Sequence, residues 1–469
     1  PRSYQELDRR FCPVDRHMIK RHNRSAITVL AAALVLAVTA ADLHASVLGP
    51  GRVARKRLSS SVVQITVYDW RGIFVRQGWG FFINGDGHII TPRSLLEGGF
   101  YIEVTTVSRE TFMVDKVYAE DLDGNFIRLG LEFPPERFAY LERSAPMPAV
   151  GERVLVGGGT GCEPGAFLDG YIEDIRKVPL YGSLVRIASP FATIGSPVFN
   201  DKGVLVAVVM FRLENTAGTA WAVPVGRVAQ VMASEAKPVE HLAWAEKRQG
   251  EWEGTAAGSY IMGLACYWTG QHGAAIPRLI RATKDERFRQ EAFFLLGCCN
   301  DAVGQYEASV NAYSMAIRLG DSSNETFLRL ARAYLQRGTY QRALDATWAA
   351  IRTKPDSYEA YTLLGETYNS MGRYSDALAG IYVAIKMNPS GAEAYHQKGV
   401  SLRGQQKYTP AIEALKKAVE LDPENRLSYW DLALTYYRSG DLVSAADICD
   451  ALKKVDPELS RRLLTRVKP

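Results

Sequence analysis

The chain has 469 residues, 47% of them hydrophobic and 23% charged. That balance excludes an intrinsically disordered chain and suggests two or three globular domains. The formal net charge is only +5 at pH 7, with both signs interspersed and no long basic run, so nucleic-acid binding is not an expected function.

Residues 1–17 read as an upstream extension ahead of Met18. Lys20, Arg21 and Arg24 then precede an apolar run from Ala26 to Ala41, and small residues follow at Val38-Thr39-Ala40 and Leu43-His44-Ala45. A positive start, an apolar core and a small-residue exit make residues 18–45 a signal peptide or an N-terminal anchor. The run is shorter than the roughly 20 residues of a spanning helix. Three readings stay open: a cleaved secretory signal, an uncleaved anchor, or a misread extension without export. The first makes the protein exported, periplasmic or secreted. A membrane enters only if the segment stays attached.

Residues 57–235 have the texture of an all-β domain. Short runs rich in β-branched and aromatic residues alternate with Gly, Asp and Asn turns: Val62–Tyr68, Gly80–Ile83, His88–Thr91, Tyr101–Val104, Arg153–Gly157 and Val204–Val209. Many short strands at such spacing predict a barrel or sandwich. A helical pattern appears only from Pro224 to Ala236, where Pro suits a helix start because its missing N–H has no intrahelical partner there.

Four stretches carry a resemblance. They are Gly80-Phe81-Phe82-Ile83-Asn84-Gly85-Asp86-Gly87-His88-Ile89-Ile90-Thr91, Asp121-Leu122-Asp123-Gly124-Asn125-Phe126-Ile127-Arg128-Leu129, Thr193-Ile194-Gly195-Ser196-Pro197-Val198-Phe199-Asn200 and Thr219-Ala220-Trp221-Ala222-Val223-Pro224. In order and context they resemble the HtrA-like branch of trypsin-like serine proteases. The resemblance implies a double β-barrel, with the first stretch leading into a catalytic histidine, the second carrying the aspartate and the third the nucleophile. Those three positions fall on Ser94, Asn125 and Ile194 in this sequence. The triad mechanism needs a nucleophile, a base and a carboxylate that orients the base, and these residue types supply none of the three. A two-residue slip offers Ser196 as an alternative nucleophile, followed by Pro197. His88 is the only histidine between residues 45 and 240, and Asp121 and Asp123 suit turn roles. The expectation is a pseudoprotease: a protease fold that binds an extended peptide or serves as a rigid module. The alternative is a serine endopeptidase with an unusual site.

Residues 236–255 read as a connector. Ala236-Lys237-Pro238 breaks the preceding helix, and Trp244 and Trp252 stand eight apart in a charged stretch. That spacing predicts one short helix with both indoles on one face, packed on the domain that begins at residue 256.

From residue 256 to 457 the chain repeats every 34 residues. Pro355, Pro389, Pro423 and Pro457 keep the interval, as do Gly263, Gly297, Ala331, Gly365, Gly399 and Ala433. So do Ala275, Ser309, Ala343, Ala377, Ala411 and Ala445, and a further column runs Ala282, Ala316, Ala350, Ala384 and Ala418 before ending in Leu452. Within one unit the order is Tyr361, Leu364, Gly365, Tyr368, Gly372, Tyr374, Ala377, Ala384, Pro389. This is the tetratricopeptide (TPR) pattern. Six units are expected, starting near residues 256, 290, 324, 358, 392 and 426, each a helix pair with small residues at the crossing, Gly at the turn and Pro after the second helix. Arg287 and Asp321 stand where later units have Pro, so the first two units read as atypical. Residues 458–469 read as an amphipathic capping helix. The fold class is therefore multidomain: an all-β trypsin-like double barrel followed by an all-α TPR solenoid.

The resemblance to TPR proteins implies a protein or peptide partner on the concave face. Arg329, Arg332, Gln397, Lys398 and Arg403 are polar positions on first helices that offer contacts to acidic groups. No cofactor and no metal is expected. The six cysteines, Cys12, Cys162, Cys266, Cys298, Cys299 and Cys449, show no ligand spacing. They read as reduced thiols, or, in an oxidising compartment, as a bridge between Cys266 and Cys298 or Cys299.

Overall fold

The computed structural model describes residues 52–467, except 133–138, 142–146, 160–162, 179–180, 214–215, 217, 234–236, 242–243 and 246–250. The signal or anchor expectation lies outside the described residues, as do Cys12 and Cys162. No helix among the described residues is long and apolar enough to cross a membrane. The chain forms two compact units, 1–248 and 249–469.

The first unit is a double barrel. Helix α1 (Arg52–Ser61) leads into β1 (Val62–Tyr68), β2 (Phe74–Phe82), β3 (Ile89–Pro92), β4 (Tyr101–Thr105), β5 (Thr111–Asp121) and β6 (Phe126–Leu131). These strands pair antiparallel in the order β5-β4-β1-β2-β3-β6, and β5 pairs with β6 to close the ring. Alternation explains the inside: Val63, Ile65 and Val67 of β1 point into one core with Ile89, Leu95, Ile102, Val104, Ile127 and Leu129. Each such side chain contributes about 1.5–3 kcal/mol by leaving water. The second ring comprises β7 (Arg153–Gly157), β8 (Phe167–Val178), β9 (Gly182–Ala188), β10 (Pro197–Phe199), β11 (Leu205–Phe211) and β12 (Thr219–Pro224). It closes as β10-β11-β12-β9-β8-β7 around Val154, Val156, Ile172, Ile187, Val206 and Val209. Helix α2 (Val225–Ala233) follows directly on Pro224.

The connector departs from the single-helix expectation. Val239–Glu240 forms a strand, β13, that pairs with Val117 and Lys116 of β5. Trp244 is buried in the first barrel's core, and its indole N–H donates to Glu120 Oε2 at 3.3 Å. Trp252 instead sits in a 3-10 turn, Trp252–Gly254, only 1% exposed, where a Cβ on Gly258 would meet its backbone. The two tryptophans thus anchor different units, because each finds an apolar core within a few residues of chain.

The second unit is a run of helix pairs. First helices are α3 (Ala256–Trp268), α5 (Glu286–Ala302), α7 (Asn324–Gln336), α9 (Tyr358–Ser370), α11 (Ala392–Gly404) and α13 (Arg426–Ser439). Second helices are α4 (His272–Ala282), α6 (Tyr306–Arg318), α8 (Tyr340–Thr353), α10 (Tyr374–Met387), α12 (Tyr408–Leu421) and α14 (Leu442–Val455). The small-residue column marks the crossings: a Cβ on Gly297, Gly365 or Gly399 would come within 2.3–2.4 Å of Tyr313, Ile381 or Leu415. Gly372 takes φ +72° at its turn. Pro389 stands just beyond α10, whose cap is Asn388. Where Arg287 replaces Pro, α5 starts earlier, capped by Asp285, and runs for 17 residues. First helices of successive pairs pack on one another, and no two second helices make comparable contact among the described residues. Hence the first helices line one side of the unit. Helix α15 (Pro457–Val467) lays Leu459, Leu463 and Leu464 against Cys449 and Leu452.

Candidate functional sites: the triad positions and the first-helix face

The three positions that the resemblance aligns with a triad lie on elements joined by short hydrogen bonds. Ser94 sits in a 3-10 turn, Arg93–Leu96, directly after β3. Asn125 precedes β6 with φ +62°, a conformation that a short polar side chain tolerates. The two residues embrace: the Ser94 N–H donates to Asn125 Oδ1 at 2.8 Å, and Asn125 Nδ2 donates to Ser94 Oγ at 2.8 Å. The Arg93 N–H also donates to the Asn125 carbonyl at 2.8 Å. Asn125 is fully buried and Ser94 6% exposed. An amide and a hydroxyl thus hold each other through two short hydrogen bonds. Neither group titrates near neutral pH.

Ile194 lies in the loop between β9 and β10. Its side chain packs against the first barrel's core, and its carbonyl accepts from the Trp79 N–H at 3.0 Å. Gly195 follows with φ +86°. The trypsin template builds its oxyanion hole from the nucleophile's own N–H and the N–H two residues earlier. The earlier one here is that of Ala192, which donates to the Ser189 carbonyl at 3.3 Å. Arg212 Nη1 holds the Pro190 and Ala192 carbonyls at 3.0 and 3.3 Å.

Ser196 is fully buried. Its Oγ accepts from the Thr193 N–H at 3.3 Å, and its N–H donates to the Thr193 carbonyl at 3.0 Å, so it closes a turn. His88 is at the other end of β3 from Ser94. Its Nδ1 accepts from Asn84 Nδ2 at 3.0 Å and its ring lies 4.1 Å from that of Tyr118. Burial, then the nearby Arg128 charge, hold its pKa below the usual imidazole value. The backbone partner of His88 is Ile83, four residues along β2 from Trp79, or roughly 13 Å at strand rise. The structure therefore does not bring His88 to Ser196. Asp121 accepts from the Gly124 N–H at 2.8 Å and pairs with Arg227 at 3.2 Å, a turn role.

On the first helices the expected contact residues have differing surroundings. Arg329 is forked onto Glu325 at 2.8 and 2.9 Å and lies 5.8 Å over the Phe294 ring. Gln397 is buried, donates to Glu393 Oε1 at 2.8 Å and accepts from Asn369 at 3.1 Å. Arg403 Nη1 donates to Asp431 Oδ1 at 2.6 Å. Lys398 lies 5.3 Å over the ring of Tyr382, on the preceding second helix. Arg332 is exposed, and its charge counteracts the upward shift that burial and Glu393 impose on Glu366.

Sequence reasoning missed His396. It is 5% exposed, with Nε2 at 2.7 Å from Asp431 Oδ2 and Nδ1 at 3.5 Å from Glu393 Oε1. Burial alone would lower its pKa, but the hydrogen bonds to Asp431 and Glu393 outweigh burial and raise it to about 9. Also missed was a glutamate column, Glu291, Glu325, Glu359 and Glu393, at the same 34-residue interval. Glu325, Glu359 and Glu393 stand in the first turn of their helices, where a negative charge meets the helix dipole, whereas Glu291 lies one turn further in because α5 starts earlier. The interval itself was the signal that would have found it. Cys266, Cys298, Cys299 and Cys449 are free and buried. Among the described residues no group of three or more His, Cys, Asp or Glu is placed to hold a metal ion.

Residues 78–208 match the trypsin-like peptidase domain family. Residues 328–392 match a tetratricopeptide repeat family, and residues 399–440 match a TPR repeat family. The chain thus carries a trypsin-like peptidase domain followed by TPR repeats. Among solved structures it is similar to the active form of a protease from M. tuberculosis, at 21% identity over 41% of this chain and 91% of that one, with a TM-score of 0.34. It is also similar to a thermophilic TPR protein from Thermus thermophilus, at 23% identity over 38% of this chain and 96% of that one, with a TM-score of 0.35. No curated protein matches the chain.

Proposed function

We propose that this protein works by binding rather than by turnover: a scaffold whose repeats hold a protein partner on their concave face, with a pseudoprotease barrel as a second binding module. The observation that carries the reading is the Ser94–Asn125 pair, hydrogen-bonded both ways at 2.8 Å where a base and its orienter belong. Ile194, with no attacking atom, stands at the third position. Repeats of this family generally mediate protein–protein contact. Arg332 is the exposed cation on the first-helix face that we expect a partner to meet, whereas Gln397 and Arg403 already have partners inside the unit. We further propose export to the periplasm or beyond, on the strength of residues 18–45; N-terminal sequencing of the mature protein tests it.

The rival reading, a serine endopeptidase that recruits substrates through its repeats, draws on the peptidase-domain match. One experiment separates the two. The full chain is treated with a fluorophosphonate probe and with casein, beside Ser196→Ala and Ile194→Ser variants. The expected result is no labelling and no cleavage above background in any of the three, because a restored hydroxyl still lacks a base. Labelling of the native chain that disappears in Ser196→Ala sinks the binding reading.

A further inference from the structure

The edge of β5 outruns its neighbour. Thr111, Phe112 and Met113 pair with β4, whereas from Val114 to Asp121 the strand pairs with β6 along its other edge. On the β4 side of that stretch, among the described residues, only Lys116 and Val117 have a strand partner, and it is Glu240 and Val239 of the connector. The pairing with β6 shifts register on both sides of this dipeptide, between Val114 and Lys116 and between Val117 and Ala119. Such bulges end ladder pairing and turn an edge.

The connector meets this edge sparingly. Val239 is 45% exposed and Glu240 is exposed too. Five residues after Val239, Trp244 is buried in the core cluster that includes Val117 and Leu129. Its N–H reaches Glu120 Oε2, the oxygen that Arg93 Nε also holds at 3.2 Å. His241 is buried between the two contacts, its ring 6.1 Å from that of Trp244. One short strand pair with one aromatic anchor is the arrangement by which peptides add to sheet edges, the backbone supplying affinity and the pocket selectivity.

We propose that the β5 edge at Lys116 and Val117, with the buried seat of Trp244 beside Glu120, forms a docking site for an extended protein segment with a tryptophan five residues beyond its paired strand. Val239, Glu240 and Trp244 of the chain itself are the resident occupants, and a segment of the same chemistry displaces them. This deepens the reading of the barrel as a binding module and rests on it. The resident segment is the evidence for the ligand's chemistry: two backbone positions for Lys116 and Val117, an indole for the core, and an N–H for Glu120.

The probe is a synthetic peptide with the sequence of residues 237–250, titrated against the full chain carrying Trp244→Ala. That variant is expected to bind the peptide at least about tenfold more tightly than the native chain, where the tethered segment competes at millimolar effective concentration. A peptide with alanine in place of the tryptophan is expected not to bind. Equal binding of both peptides, or no binding to a Trp244→Ala chain with native circular dichroism, overturns the proposal. Should that variant fail to fold, hydrogen exchange on the native chain decides. Whichever of Lys116 and Val117 directs its N–H toward the connector is expected to exchange at least about tenfold faster than the amides of β1, through local opening. Equal protection rules out displacement. Failure here is distinct from failure of the scaffold reading, which fluorophosphonate labelling reports without any peptide.

Discussion

Asp431→Ala is expected to lower the stability of the repeat unit by about 3–5 kcal/mol, the range for removing one partner of a buried ionic contact. Asp431 accepts from His396 Nε2 at 2.7 Å and from Arg403 Nη1 at 2.6 Å. Removing it takes the carboxylate from Arg403 and leaves His396 only the longer contact to Glu393, at 3.5 Å. Urea unfolding of the full chain, followed by exchange protection of the repeat helices, measures the loss and separates it from the barrel. A change below about 1 kcal/mol would show that water replaces the carboxylate without cost. The same site predicts a pH dependence. The His396 pKa is raised to about 9 from 6.5, so the folded state holds the proton more tightly than the unfolded one. Its contribution is complete below pH 6.5 and disappears as pH rises through about 9. Asp431 is shifted the other way: burial raises its pKa, but the hydrogen bond to His396 and the Arg403 charge bring it below its ordinary value. Its contribution is present above the ordinary carboxylate pKa and lost as the pH falls through the folded value. Repeat-unit melting temperatures should therefore fall on the alkaline side, and His396→Leu should flatten that limb.

Gly195→Ala is expected to destabilise the double barrel by about 2–5 kcal/mol, combining a left-handed backbone penalty with overpacking. Gly195 has φ +86°. A Cβ there would lie 1.7 Å from the Trp79 carbonyl oxygen. Side-chain rotation offers no relief, because the obstacle is backbone. The Trp79 N–H bond to Ile194 breaks if the loop retreats, and with it the stitch between the second barrel's loop and β2 of the first. Thermal unfolding of the barrel checks this. A melting temperature within about 1 °C of the native chain would mean that the loop is not fastened there. The close approach of the Trp79 backbone thus requires glycine at position 195.

Much of the repeat unit was legible in the sequence. The 34-residue columns place each first helix, each turn and each crossing, because a repeated packing contact forces a repeated residue size. Gly365 meeting Ile381 is one example, and Gly399 meeting Leu415 is its copy. The apolar strands β1 and β11 are equally plain. Strands β5 and β8 are less so, since their outward positions carry Asp, Glu, Lys and Arg, and charge dilutes the alternation. The positions Ser94, Asn125 and Ile194 followed from motif order, but the hydrogen bonds between Ser94 and Asn125 did not. Those depend on a 3-10 turn meeting a left-handed residue 31 positions away.

By itself, then, the sequence determined the order of the units, the six-fold helical rhythm and the residue types at the triad positions. Local period and composition carry that information. Only the tertiary structure decided which polar residues are already partnered. Gln397 and Arg403 looked free to meet a ligand, but neighbouring helices supply their partners. Trp244 and Trp252 looked like one helical face, but each is claimed by a different core. Burial and hydrogen bonding between distant segments settle such matters, and no period along the chain records them.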